Sequence, residues 1–146
     1  MQKEKLLISA CLLGIACRYD GNSKTPPDSI EELSARYELI PICPEIYGGL
    51  PTPRTPSERI GDKVLMKDGT DVTDNYHRGA ESTLAIAKVL GAKKALLKER
   101  SPSCGTGSIY DGNFSGRTVP GMGVCAELLS SHGILLFSED EIYKLI

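Results

Sequence analysis

The sequence predicts an α/β fold in which a single three-layer domain, residues 1–146, is built around a mainly parallel sheet. Three observations support it. Short apolar runs alternate with helix-like segments, the runs are nearly continuous rather than alternating, and neither a repeat nor a linker interrupts them. Continuous apolar runs are typical of strands buried on both faces, as parallel strands are. A chain of 146 residues is long enough for one such core.

The predicted strands are short. Four of them form the expected sheet, at residues 6–10, 38–42, 95–97 and 134–137. A further apolar run at residues 64–66 is followed by the turn sequence Lys-Asp-Gly-Thr. This pattern predicts a small hairpin or an edge strand.

Four helices separate the strands, and we expect them at residues 28–37, 71–90, 124–131 and 138–146. Ser29 with Glu32, and Ser138 with Glu141, have the spacing of a capping box, so they indicate where the first and last helices begin.

The helix at residues 71–90 has the strongest pattern. Its apolar positions Ala80, Leu84 and Ala87 fall on one face. Thr73 can cap its beginning, and Gly91 follows as a stop. Gly79 lies inside the pattern and weakens the prediction, because glycine is a poor helix former.

Two segments lack a clear pattern. Residues 44–58 are rich in proline and residues 105–121 in glycine, so we expect irregular loops at both. Within the second, residues 110–113 carry a hairpin-turn signal. Long loops in a small domain are usually functional.

Composition excludes several classes of partner. Lys and Arg number 17 and Asp and Glu 19, so the net charge is −2, and no basic excess favours long nucleic acid or an anionic membrane. No signal peptide or membrane span is recognisable, which predicts a cytoplasmic protein. Cysteines there stay reduced and serve metal binding or catalysis more often than disulfides.

The five cysteines outnumber the two histidines, and their positions organise the chain. Cys11 and Cys43 directly follow the first two predicted strands, and Cys104 follows the third. Carboxyl ends of parallel strands meet at one edge, so these thiols should converge there. Three thiolates suit a soft metal or an iron–sulfur cluster, and the alternative is that all five cysteines are ordinary buried residues. A 4Fe–4S cluster held by three cysteines would have one open iron, which favours catalysis over electron transfer. Cys17 is either a fourth ligand or a core thiol, and Cys125 is expected in the core.

Polar groups near these cysteines are candidates for catalysis. Glu45 follows Cys43 by two residues, and in an extended backbone both would point to the same side. A carboxylate there is either a general base or a surface residue. Ser101 lies in a Ser-Pro-Ser-Cys-Gly loop and either positions a ligand or forms the turn. Four arginines in predicted loops are weaker candidates for holding an anion: Arg18, Arg54, Arg59 and Arg117.

Four motifs occur together in this order: residues 9–14 (SACLLG), 17–21 (CRYDG), 43–45 (CPE) and 101–105 (SPSCG). In this combination the chain resembles the bacterial thiouracil desulfidase family, formerly a family of unknown function, over nearly its whole length. The resemblance implies an α/β fold and an oxygen-sensitive 4Fe–4S cluster.

By the same resemblance, Cys11, Cys43 and Cys104 hold the cluster, and Glu45 and Ser101 are catalytic. The implied reaction is a non-redox hydrolysis that removes sulfur from 4-thiouracil or its nucleotide, with the substrate's sulfur on the open iron. The expected partner is thus a small thiolated nucleobase or nucleotide. Two alternatives stay open: a non-catalytic iron–sulfur or sulfide carrier, and a zinc-stabilised binding module.

Overall fold

The computed structural model describes residues 2–21 and 29–146, and within them the chain forms eight strands. In chain order they are β1 (Glu4–Ser9), β2 (Tyr37–Ile42), β3 (Ser57–Ile60), β4 (Lys63–Met66), β5 (Lys94–Leu97), β6 (Ser108–Tyr110), β7 (Thr118–Pro120) and β8 (Leu135–Ser138). The central sheet has the order β2-β1-β5-β8 and every neighbouring pair in it is parallel. This confirms the predicted α/β class.

Helices lie on both faces of this sheet. They are α1 (Ile30–Arg36), α2 (Pro44–Tyr47), α3 (Thr73–Leu90) and α4 (Val124–Ser131), with two 3₁₀ helices at Ala10–Leu13 and Glu139–Lys144. Over the described ranges, no helix combines the length and apolarity needed to cross a membrane.

Two apolar cores lie on opposite faces of the sheet, one between the sheet and each of its two layers of helices. Because side chains alternate along a strand, Leu6 and Ile8 of β1 face one core while Leu7 faces the other. The first core contains Leu33 of α1, and the second contains the buried faces of α3 and α4, including Leu84. The sheet is therefore covered on both sides, which explains why its strands read as continuous apolar runs.

The strand order creates a crevice at the carboxyl edge of the sheet. β2 lies on one side of β1 and β5 on the other, so the chain reverses its direction of progress between them. In open α/β sheets ligands bind outside the carboxyl ends of the strands at such a point. Cys43 directly follows β2, Cys11 lies two residues after β1, and Cys104 lies seven residues after β5.

The two predicted loops contain regular structure, so that expectation was wrong in part. Residues 44–58 begin with α2 and end in β3, which pairs antiparallel with β4. Residues 105–121 contain the antiparallel hairpin of β6 and β7, consistent with the turn signal, although a seven-residue segment at 111–117 joins its strands. Three- and four-residue elements are too short to leave a periodic pattern in a sequence.

The predicted caps had mixed outcomes. Ser138 and Glu141 form the expected capping box, although the helix they begin is 3₁₀. The first helix was predicted to start at Asp28, which lies outside the described residues, and Ser29 makes no side-chain cap. Thr73 does not cap α3, since Val72 is the N-cap, and its hydroxyl instead accepts the amide of Val64 at 3.0 Å.

Candidate active site

A cavity of about 390 Å³ opens at the carboxyl edge of the central sheet. Its wall is formed by the ends of β1, β2 and β5, by the β3–β4 hairpin and by the β6–β7 hairpin. Its lining residues include cysteines and glutamates, together with the positively charged side chains of lysines and arginines. The crevice expected from the strand order is thus the place where the candidate residues meet.

The structure brings Cys11, Cys43 and Cys104 into the wall of this cavity. Cys11 lies in the first 3₁₀ helix immediately after β1, and Cys43 is the N-cap of α2 immediately after β2. Cys104 is buried in the loop that follows β5. The predicted convergence of these residues is therefore found, while their role as ligands stays a prediction.

The remaining two cysteines have different surroundings. Cys17 is buried, lines the same cavity and makes a side-chain hydrogen bond with Cys43. Cys125 is completely buried on α4, hydrogen-bonds with Thr83 and is not part of the cavity wall. The expectation of a core position for Cys125 is confirmed, whereas Cys17 lies beside the candidate ligands.

Burial sets the protonation of most of these thiols. Desolvation raises the pKa of Cys11 to about 11, partly offset by the nearby charges of Lys98 and Arg18, and it raises that of Cys104 well above the usual value. Cys43 differs, because its hydrogen bond with Cys17 lowers its pKa. Cys43 is therefore the thiol that most readily becomes a thiolate at neutral pH.

Helix α2 is held in place by direct backbone contact with α3. A Cβ atom at Gly79 would lie 1.8 Å from the carbonyl oxygen of Pro44, and one at Gly48 would lie 2.0 Å from that of Asn75. Only glycine allows two helices to approach so closely. The Asn75 side chain also donates to the Gly48 carbonyl at 2.9 Å. Since α2 begins at Cys43, this contact fixes one edge of the cavity.

The Cys104 loop is held by its own serine and by α4. The Ser101 hydroxyl oxygen accepts the amides of Ser103 and Cys104, each at 3.1 Å. The first amides of α4 have no partners within the helix. The amide of Val124 donates to the Pro102 carbonyl at 2.9 Å. Ser101 therefore forms the turn, as one of the two alternatives predicted, and the same residue lines the cavity.

Glu45 lies in the first turn of α2 and faces the same cavity as Cys43. Cys43 has the expected extended backbone, with φ −140° and ψ 94°. The extended conformation does not continue to Glu45 as predicted, because Pro44 occupies the first helical position, where its fixed φ and missing N–H suit a helix. One carboxylate oxygen of Glu45 accepts a hydrogen bond from the hydroxyl of Tyr76, and the other lies 3.1 Å from the Arg54 guanidinium.

Arg54 and Tyr76 were not singled out as partners of Glu45 by sequence reasoning. The Arg54 side chain is 2% exposed and also donates to the carbonyl of Cys17 at 3.0 Å. Tyr76 is buried on α3 four residues before Ala80, and this extension of the apolar face was the available signal. A buried guanidinium between proline-rich turns has no comparable sequence signal.

The other loop arginines have separate positions. Arg18 lines the cavity. Arg59 donates to the Met122 carbonyl at 2.7 Å and pairs with Glu127. Arg117 is exposed and lies outside the cavity wall. Of the four arginines, only Arg18 is thus placed to meet a ligand directly.

The donor set around the cavity fits an iron–sulfur cluster. In the part of the chain that the structure describes, no group of three or more His, Cys, Asp or Glu side chains is close enough together to hold a single metal ion. Thiolates on a four-iron cluster bind different irons, so their sulfurs are spread over the width of the cluster. Three thiols around one cavity match that requirement.

Comparison with known proteins agrees with this chemistry. The model of the 2-thiouracil desulfurase family matches residues 6–141. The uncharacterized protein YbbK of Bacillus subtilis (strain 168) is 42% identical over 151 aligned positions, which cover 97% of this chain and 99% of YbbK. The solved [4Fe-4S]-dependent thiouracil desulfidase TudS is 49% identical, with a TM-score of 0.93 over 98% of this chain and 95% of that one. Sequence, fold and site agree that the chain belongs to the 2-thiouracil desulfurase family.

Proposed function

We propose that this protein is a 4Fe–4S-dependent desulfidase that hydrolytically removes sulfur from a thiolated uracil, either the free base or its nucleotide. The observation that carries the proposal is the meeting of three cysteine thiols and a paired carboxylate around one cavity. Family membership and the similarity to TudS support it.

Cys11, Cys43 and Cys104 would hold the cluster as thiolates. When bound through three thiolates, such a cluster supplies one iron with an open position, which acts as a Lewis acid toward the substrate's sulfur. Binding must release a proton from each thiol, and this makes loading dependent on pH. Cys43 requires the least change, because its pKa is already lowered.

Glu45 would act as the general base on the attacking water. A carboxylate has about four acceptor positions, and Tyr76 and Arg54 occupy one on each oxygen. The remaining positions are available to a water in the cavity. Because both partners are anchored in the protein, the carboxylate keeps one orientation, as a base that must reach a defined carbon requires.

Ser101 would protonate or position the substrate's ring. Its oxygen already accepts two backbone amides, so its hydrogen is the part left to donate. Ser101 is therefore the donor to the Ser103 hydroxyl, 3.0 Å away, and Ser103 donates in turn to the Cys104 sulfur at 3.5 Å. The pair therefore forms a short route for one proton next to Cys104.

The direct test is anaerobic reconstitution followed by a sulfide-release assay with 2-thiouracil, 4-thiouracil and 4-thiouridine monophosphate. We expect iron, acid-labile sulfide and turnover in the wild type, and loss of all three in Cys43→Ala. Cys125→Ser is the matched control, since that thiol lies outside the cavity, and it should retain them.

Full desulfidase activity in Cys43→Ala would contradict the proposal. A loaded cluster without turnover of any thiolated base would instead favour the carrier. Stoichiometric zinc in a colourless protein would favour the binding module.

A further inference from the structure

Glu58 is a buried carboxylate that the proposed reaction does not use. It lies on β3 with 8% of its surface exposed. One of its oxygens accepts the backbone amides of Gly112 at 2.9 Å and Phe114 at 3.1 Å. A buried carboxylate is costly unless hydrogen bonds compensate it, so this residue is committed to holding the segment at 111–117.

The segment it holds has an unfavourable backbone conformation. Phe114 has φ 53°, in the left-handed region that bulky side chains avoid. Gly112, with φ 92°, is pressed so closely against the β3–β4 hairpin that a Cβ there would lie 2.1 Å from the Ile60 side chain. Strain of this kind persists only where the surroundings impose it, and it concentrates at binding sites.

The consequence of this arrangement is the position of Phe114. Its half-buried side chain lines the same cavity as the candidate cysteines and Glu45. Tyr19 and Tyr110 also line the cavity, but neither has a positive φ or a buried carboxylate holding its backbone. A planar heterocycle needs an apolar face beside polar groups that fix its edge, and a phenyl ring supplies one.

We propose that Phe114 is the face on which the substrate's heterocyclic ring packs, and that Glu58 is the positioning residue that holds it there. The inference rests on the proposed thiouracil substrate and names a specificity element of that site.

Steady-state kinetics on the loaded enzyme is the first test. In Phe114→Leu the new side chain meets the same backbone strain without offering a ring. We expect the KM of Phe114→Leu for 4-thiouracil to rise about tenfold, with a smaller change in kcat. Phe114→Tyr keeps an aromatic ring and should have a KM close to that of the wild type. Glu58→Leu should raise KM in the same way, whereas Glu58→Gln keeps one acceptor oxygen and should remain close to wild type. Iron content should be unchanged in all four variants.

The sequence allows a second readout that does not depend on turnover. It contains two phenylalanines, Phe114 and Phe137, and the latter lies on β8 outside the cavity wall. Protein labelled with fluorophenylalanine should therefore give two ¹⁹F resonances, assigned by Phe114→Leu. Adding uracil should shift the Phe114 resonance and leave that of Phe137 in place.

The outcomes separate the two proposals. If the wild type neither releases sulfide from thiouracils nor binds uracil, the proposed function fails and this inference fails with it. If the wild type is active but Phe114→Leu keeps its KM, or uracil binds without moving the Phe114 resonance, the inference alone is overturned.

Discussion

Gly79 offers the sharpest test of how α3 positions the site. Replacing it with alanine puts a methyl group 1.8 Å from the Pro44 carbonyl oxygen, where ordinary contact needs roughly 3.5 Å. The two backbones must therefore separate by about 1.5 Å or more. Because neither partner is the flexible end of a side chain, rotation about side-chain bonds cannot relieve the clash.

The expected cost can be estimated from two opposing effects. Overpacking costs about 1–3 kcal/mol, and a clash between backbones belongs at the upper end. Alanine favours a helix interior over glycine by about 1 kcal/mol. The net loss in the free energy of unfolding is then about 2 kcal/mol, a fall in Tm of roughly 4–8 °C for a chain of this length.

Gly79→Ala should lose more activity than its loss of stability alone would explain. Cys43 is the N-cap of α2 and Glu45 lies in its first turn, so a shift of that helix moves a candidate ligand and the candidate base together. A displacement of about 1 Å can cost roughly 100-fold in rate. Ser82→Ala, at an exposed position on the same helix, is the control and should change stability by no more than about 0.5 kcal/mol.

Thermal unfolding and iron content measure the two effects separately. If Gly79→Ala melts at or above the wild-type temperature and keeps its iron and activity, the close approach of α2 and α3 does not determine the geometry of the site.

Three further outcomes are expected. Glu45→Gln should load iron normally but lose about 10²–10⁴-fold in sulfide release, and a loss below tenfold would argue against a general base. In cluster-free protein at pH 7.5, iodoacetamide should modify Cys43 before Cys11, because the pKa of Cys43 is lowered and that of Cys11 raised; peptide mass spectrometry reports the order. Burial opposes ionisation of Glu99, but the amides of Gly107 and neighbouring residues outweigh it and lower its pKa, so its contribution to stability is complete above about pH 4.5 and is lost as the pH falls through the lowered pKa. Glu99→Gln should therefore unfold with a weaker acid dependence, and identical pH profiles would contradict this.

A mainly parallel sheet could be predicted because its two central strands, β1 and β5, are buried on both faces. Residues such as Leu7, Ala95 and Leu96 form runs that a single sequence shows directly. The convergence of the cysteines could then be predicted from the strands, because the carboxyl ends of parallel strands all lie at one edge of the sheet. The prediction of their convergence needed no knowledge of side-chain contacts.

The smaller elements could not be predicted, and the reason is physical. Helix α2 has four residues and owes its place to contact with Gly79, which lies 35 positions after Pro44. Sequence reasoning took that glycine as a weakness of α3, although it is the point at which α2 docks. The Glu45–Arg54 ion pair similarly depends on how a proline-rich loop folds back, and periodicity carries no information about that.

The pairing of Glu45 with Arg54 bears on what kind of base this residue can be. A carboxylate buried without a partner would be costly to ionise, and a solvated one would have no fixed direction. Here Arg54 pairs with the Glu45 carboxylate, and the Tyr76 hydroxyl helps to fix its direction, while 18% of the Glu45 side chain stays exposed. The remaining lone pairs are then the place where a water can be oriented. Arg54→Met should accordingly cost about 3 kcal/mol, the lower end for breaking a buried pair, since water can reach Glu45. If urea unfolding showed no loss in that variant, the Glu45–Arg54 ion pair would not be what stabilises this side of the cavity.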